Sequence, residues 1–312
     1  MIERPIVRYH GGKFRLAPRL IDIFPPHRVY TEAFGGGGSV LLLKPRCYAE
    51  VYNDLDGEIV NVFRVLQNRA KAKSLEKLLR VTPYARQEFL LSYKRGATDV
   101  ERARRTIVRS FMGFGSDSIS RIKASRAGFN TRLSSVMATG FRWSANLSRT
   151  TPATDWANYP NQIPYFCERL QGVVLEQRDA KLILEKMDSP DSLHYVDPPY
   201  PGSTRRTGNG TTPEHRYRFE MVKDSDHAAL AGVLRSLRGM VIVSSYPNPL
   251  YQRLFAKWHT MSWTGGQYCS ANSNAQKRTE MVWINQAAWE RMPQRLLDLC
   301  MPMSDFQPAV SA

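Results

Sequence analysis

Four consecutive residues, Asp197-Pro198-Pro199-Tyr200, set a carboxylate, two stiff prolines and an aromatic ring directly after the apolar run Ser192-Leu193-His194-Tyr195-Val196. No helix continues through two prolines, so the run reads as a buried strand ending in a rigid loop. Open α/β sheets bind ligands beyond the carboxyl ends of their strands, which is where this loop would lie. A carboxylate and a carbonyl accept hydrogen bonds from an exocyclic amine, and a tyrosine face stacks on a planar base. The plainer alternative, a strand closed by a proline turn and a capping aspartate, stays open on these residues alone.

A second group lies near the start of the chain. The strand-like run Val29-Tyr30-Thr31-Glu32-Ala33-Phe34 enters Gly35-Gly36-Gly37-Gly38, and Ser39 opens a helix-like Val40-Leu41-Leu42-Leu43. Glycines at such a turn let the backbone bend sharply and approach a ligand with no Cβ in the way. Asp54 follows the next strand, Tyr48 to Tyr52, close to the roughly 20-residue offset at which an acidic side chain reaches ribose hydroxyls. The glycine spacing is not that of a dinucleotide fingerprint, because Leu41 stands where the third glycine belongs. Nor is Gly11-Gly12-Lys13-Phe14 a phosphate loop, since it lacks the earlier glycine and the Ser or Thr. A ribose-bearing cofactor without phosphates, S-adenosylmethionine, satisfies both observations. Lys13, on a Gly-Gly turn behind Tyr9, is placed to hold its carboxylate; an ordinary surface lysine is the alternative.

The elements that must carry these groups follow from periodicity. After Asp54 a helix presents Ile59, Val60, Phe63, Val65 and Leu66 on its apolar side. Strand-like runs return at Val173–Leu175, Leu193–Val196 and Met240–Ser244, with Met281–Asn285 as a closing strand. An amphipathic helix, Ser225 to Leu234, with a capping residue at its start, separates two of them. The expected fold class is α/β: a mostly parallel Rossmann-like sheet with helices on both faces, interrupted by a basic insertion. Residues 1–68 read as the cofactor half, 69–170 as the insertion, 171–300 as the catalytic half and 301–312 as a flexible tail. The insertion begins helical and turns irregular over residues 113–154, too long for an ordinary loop. Residues 267–277 read as a further polar loop.

Charge narrows the function. The 312 residues carry 44 Lys and Arg against 28 Asp and Glu, a net charge of +16. Residues 71–170 alone hold 18 basic against 7 acidic side chains, the footprint of a polyanionic partner. With 42% hydrophobic and 23% charged residues the composition is that of an ordinary globular protein. No apolar run reaches the roughly 18 residues of a membrane helix, and Met1-Ile2-Glu3-Arg4-Pro5 is unlike a secretory leader, so a cytoplasmic protein is expected. Cys47, Cys167, Cys269 and Cys300 show no metal-ligand spacing, which points to buried thiols in a reducing compartment and no metal.

Taken in order, Tyr9, Gly11-Gly12-Lys13, Phe34 to Gly38, Asn53-Asp54, a basic insertion and Asp197 to Tyr200 resemble the Dam-type adenine-N6 DNA methyltransferases, over most of residues 5–285. The resemblance implies cofactor contacts at Tyr9, Lys13, Asp54 and Asp197, with Glu32, Phe34 and Gly36 lining the pocket and Asp179 near the cofactor adenine. It implies that Asp197, Pro198, Pro199 and Tyr200 hold an extruded adenine. Ser244-Ser245-Tyr246 and Arg278-Thr279-Glu280 resemble later motifs that shape the base pocket and the sheet edge. Target recognition, by the same resemblance, lies in the insertion. Arg121, Lys123, Arg126, Asn130, Arg132 and Arg142 are the candidate contacts to double-stranded DNA, with Arg149 beside them. Gly128-Phe129-Asn130 resembles part of the family's recognition hairpin, but Thr131-Arg132-Leu133 departs from the pattern of GATC readers, which leaves the target sequence open.

An adenine inside a duplex is out of reach, so the base has to be swung into a pocket. Asp197 and the Pro198 carbonyl would accept the two N6 hydrogens while Tyr200 stacks on the ring, and positioning and electrostatics would supply the acceleration. The alternatives are an amino-methyltransferase acting on cytosine N4 or on RNA, and a DNA-binding protein without catalysis. A nicotinamide dehydrogenase is disfavoured by the missing glycine. A monomer is expected, because an isolated adenine does not demand a symmetric protein.

Overall fold

The computed structural model describes residues 1–114, 119, 140–142, 151–201, 207–208, 212–213, 219, 221–264 and 279–293. Helix α1 (Ala17–Asp22) leads into strand β1 (Val29–Glu32), helix α2 (Ser39–Leu43), strand β2 (Ala49–Asn53) and helix α3 (Gly57–Gln67). Helices α4 (Arg69–Val81), α5 (Arg86–Leu91) and α6 (Asp99–Met112) follow. Then come α7 (Pro152–Asn158), a 3₁₀ turn (Tyr159–Gln162) and α8 (Ile163–Leu170). The chain continues through β3 (Val173–Glu176), α9 (Ala180–Lys186) and β4 (Ser192–Val196), then a two-stranded hairpin of β5 (Thr207–Gly208) and β6 (Thr212–Pro213). Helix α10 (Asp224–Ser236), β7 (Met240–Ser245), α11 (Pro249–Leu254), β8 (His259–Thr264), β9 (Thr279–Ile284) and α12 (Gln286–Trp289) complete the described part.

The main sheet runs β3-β2-β1-β4-β7-β9-β8, parallel from β3 to β7 and antiparallel at β9. Strands β4 and β7 are buried along their whole length, which is why both read as unbroken apolar runs. The period of two is plain in β7. Met240 and Ile242 face a core shared with Ile59, Phe63, Leu75, Ile107 and Phe166, whereas Val241 and Val243 face Leu184, Leu230, Leu234 and Tyr251. Helices therefore cover both faces, as expected. Two edges differ from expectation. Strand β9 lies between β7 and β8 rather than closing the sheet, and β8 supplies the edge. Helix α10 starts one residue early with Lys223 at its N-cap, so Ser225 sits inside the first turn and no side chain caps the helix. Cys47 and Cys167 are half-buried, not sealed in the core.

Inside the basic stretch, α4, α6 and α8 pack with α3 into the first core. Arg169 of α8 reaches the buried Glu50 of β2 at 2.6 and 2.9 Å, and Lys44 Nζ completes the cluster at 2.8 Å. Beyond α6 the backbone is clamped: Arg142 N donates to Met112 O at 2.6 Å and Phe114 N to Gly140 O at 2.8 Å. Strands β1, β2 and β3 lie on one side of the point where strand order reverses and β4 and β7 on the other. The carboxyl ends of β1 and β4 thus open a crevice at a topological switch point.

Candidate active site

Each wall of that crevice is built by a turn that the sequence makes necessary. At the end of β1 the chain bends through Gly35 to Gly38. A Cβ on Gly35 would stand 2.1 Å from the Tyr52 ring, and Gly36 and Gly38 adopt left-handed φ of 47° and 61°. Gly38 then forms the N-cap of α2. Tyr52 Oη donates to Gly36 O at 2.7 Å, so the ring that forbids a side chain at Gly35 also fixes the next residue. Asn53 Nδ2 donates to Ala33 O at 2.9 Å and Arg178 O at 3.0 Å, joining the loops beyond β1, β2 and β3.

Asp54 follows. Its Oδ2 accepts from Gly36 N and its Oδ1 from Asp56 N, both at 2.7 Å. It remains half-buried on the crevice wall. Loss of solvent pushes its pKa up to about 6 against the pull of those two amides. Glu32 is deeper, 3% exposed, with Oε2 accepting from Tyr30 Oη at 2.9 Å and Leu41 N at 2.8 Å. Burial raises it to about 8, so at neutral pH it holds its proton more often than not.

The opposite wall is the loop after β4. Asp197 Oδ1 accepts from Ser244 Oγ at 2.8 Å, and Ser244 in turn meets Tyr195 Oη at 3.0 Å. Asp197 Oδ2 accepts from Lys13 Nζ at 2.7 Å. Burial alone would lower the Lys13 pKa, but the Asp197 carboxylate, with Glu280 adding to it, holds it well above the ordinary lysine range. Tyr200 donates from Oη to Glu280 Oε2 at 3.0 Å and meets Tyr246 edge-on at 4.7 Å.

The crevice is open to solvent and has a cavity volume of about 120 Å³. Tyr9, Lys13, Glu32, Phe34, Gly36, Asp54, Asp197 and Pro199 all line it. Residues separated by up to 190 positions in sequence therefore share one pocket, as their types suggested. Pro198, Tyr200 and Asp179 do not line it. Tyr200 lies behind Lys13 and is only 7% exposed. Asp179 caps α9 through Lys181 N at 2.8 Å, and its neighbour Ala180 forms the wall. Of the candidate DNA contacts, Arg142 sits at the clamp beyond α6, whereas Arg121, Lys123, Arg126, Asn130, Arg132 and Arg149 lie outside the described residues. The polar loop of residues 267–277 and Arg278 also lie outside them.

Several lining residues escaped the sequence reading: His10, Leu55, Phe219 and Met221. Leu55 and Phe219 are 42% and 46% exposed, and a large apolar side chain left open beside a polar motif was the available signal. The charge of the lining is also informative. Asp54 supplies a carboxylate, Asp197 one that is paired with Lys13, and Glu32 a carboxyl that is mostly protonated at neutral pH. Such a wall offers hydrogen-bond acceptors to a ligand that carries hydroxyl donors.

No curated protein matches the chain. The sequence model of the family described as D12 class N6 adenine-specific DNA methyltransferase matches residues 9–265, from Tyr9 through the glycine turn, the basic stretch, the Asp-Pro-Pro-Tyr loop and β7 to just past β8. With an α/β sheet of methyltransferase order beneath that match, the chain belongs to the D12 class N6 adenine-specific DNA methyltransferases.

Proposed function

We propose that this methyltransferase takes its methyl group from S-adenosylmethionine and places it on N6 of an adenine swung out of duplex DNA. The observation that carries the reading is the seating of Asp197. Its carboxylate is held from both sides by Lys13 and Ser244 at the rim of the crevice that contains Glu32 and Asp54. Asp54 would take the ribose hydroxyls, and Glu32 would face the cationic end. Tyr9 and Phe34, with Leu55 and Ala180, would supply apolar contact. Bound there, the cofactor would supply an electrophilic methyl on its sulfonium, its S–CH3 bond breaking as the N6–CH3 bond forms, with S-adenosylhomocysteine as leaving group and one N6 proton lost to solvent.

The chain's own part is to prepare the amine. The N6 lone pair is spread into the purine ring, and acceptors on its two hydrogens draw electron density back to nitrogen. Asp197 and the Pro198 carbonyl are the acceptors, and Tyr200 is the stacking surface. Preorganised groups of this kind act by position and field, without reorganising as the bond forms. The basic stretch of residues 69–170 holds the duplex, with Arg121, Lys123, Arg126, Asn130, Arg132 and Arg142 as its contacts. One copy of the chain suffices, because one chain supplies every group named.

The test is methyl transfer from labelled S-adenosylmethionine to unmethylated duplex DNA, with nucleoside analysis and mapping of the modified positions. N6-methyladenine at a fixed short motif is the expected product. N4-methylcytosine, or label entering RNA alone, would overturn the substrate assignment. Asp197→Ala should lower kcat by roughly 10²–10³ or more, the scale for loss of one preorganised polar group, while DNA affinity changes little. Full activity in that variant would sink the mechanism.

A further inference from the structure

The seat proposed for the target base already has an occupant. Lys13 Nζ lies 5.1 Å from the Tyr200 ring centroid, over its face, and donates to Asp197 Oδ2 at 2.7 Å and to Gly11 O at 2.8 Å. The Lys13 side chain is 6% exposed. The ammonium thus occupies both partners expected of the incoming adenine: it donates to the Asp197 carboxylate, and it lies over the Tyr200 face on which the base would stack. An adenine cannot stack on Tyr200 while Nζ stands there.

We propose that Lys13 is a placeholder for the target amine, which holds the Asp197–Tyr200 seat in shape in the base-free enzyme and is displaced when the base enters. The idea rests on the base-extrusion reading above. Three features of the chain favour it. An uncompensated carboxylate so near the core would be costly, so the seat needs a cation until the base arrives. Lysine is a compact charge on a flexible stem and makes no fixed fork, so it can leave. Its backbone follows Gly11, at a φ of 72°, and Gly12, a pair that leaves the turn free of side chains.

The consequence is a competition. Only the fraction of molecules with Lys13 displaced can accept a base, so apparent affinity for the extruded base is reduced by that fraction. Neutralising Lys13 should therefore ease base entry, opposite in sign to the effect of removing a side chain that merely supports the site. The experiment uses the full chain and a duplex carrying 2-aminopurine at the adenine of the mapped motif, without cofactor. Fluorescence reports unstacking, and anisotropy of a separate label reports total DNA binding. Wild type should brighten the probe on binding. Lys13→Met should brighten it several-fold further at equal occupancy, and Lys13→Arg should remain near wild type. If Lys13→Met does not fold, Lys13→Gln serves with the same expected sign.

Brightening in wild type that is unchanged or reduced in the neutral variant overturns the placeholder alone. Absence of brightening in wild type, in an enzyme that methylates N6, removes extrusion into this seat and the placeholder with it.

Discussion

Asp54 is the residue whose chemistry is most exposed to pH. Two backbone amides already occupy one lone pair on each of its oxygens, which leaves one on each for ligand hydroxyls. Its pKa near 6 means that it is an anion at neutral pH and loses that charge just below. The sign follows directly: above pH 6 the carboxylate would accept from the proposed ribose, and below it the bound proton takes one acceptor away. Cofactor affinity, measured by calorimetry with S-adenosylhomocysteine, should fall as pH drops from 7 to 5. Asp54→Asn should flatten that profile and weaken binding at pH 7 by roughly 10- to 100-fold, the scale of a hydrogen bond to a charged group. A profile unchanged in Asp54→Asn would remove this residue from the cofactor site. Lys13 shows where residue-scale reading runs out. Its type and its Gly-Gly turn were legible, but its pairing with Asp197, far along the chain, exists only once β4 lies beside β1.

At the scale of elements, the glycine turn between β1 and α2 decides whether the pocket forms. Gly38 carries a left-handed φ of 61°, and an added Cβ would lie 2.7 Å from Phe63 Cζ. Phe63 cannot yield easily, since it is fully buried and stacked on Tyr52 at 4.0 Å. Gly38→Ala should therefore cost roughly 2–5 kcal/mol, combining the left-handed penalty with overpacking. It should show as a lower Tm with cofactor affinity reduced alongside; thermal denaturation that matches wild type would refute the steric argument. The turn was readable because strand, glycine and helix signals follow one another locally. Strand β8 was not. His259, Thr260, Met261 and Trp263 are partly buried and Ser262 is exposed, and the strand's partner among the described residues, β9, follows later in the chain. An edge strand with one neighbour leaves a fainter apolar pattern than a central one, whereas β4 and β7, sealed on both faces, declared themselves. The Lys44–Glu50–Arg169 cluster was equally silent, because charged residues in sequence read as surface until burial proves otherwise.

Across the whole molecule, the excess of positive charge and the proposed active-site crevice belong to one argument about DNA. The one lysine in the crevice lining is already paired with Asp197, so the crevice offers phosphates little attraction, whereas residues 71–170 carry 18 of the 44 basic side chains. The described part of that stretch is anchored: Tyr84 Oη donates to Arg142 O at 2.6 Å, and Phe141 packs on Tyr84 with Arg86 over its ring. The Arg109, Arg104 and Arg105 side chains nearby are engaged within the helical core or with Glu88 and Glu101, and so contribute little to an external partner. We propose that the cations of residues 113–151 meet DNA, together with exposed side chains of the described part such as Lys73, Lys77, Lys94 and Arg95. If Arg121, Lys123 and Arg126 each neutralise a phosphate, the logarithm of the DNA binding constant should fall steeply with the logarithm of salt. Replacing all three by Ala should then make the slope shallower by about 0.9 for each phosphate no longer neutralised. Affinity should drop by a similar factor for every duplex sequence, because phosphates carry no sequence information. A slope unchanged in the triple variant would place the duplex elsewhere on the protein. A loss confined to the methylated motif would instead make these residues readers of base edges.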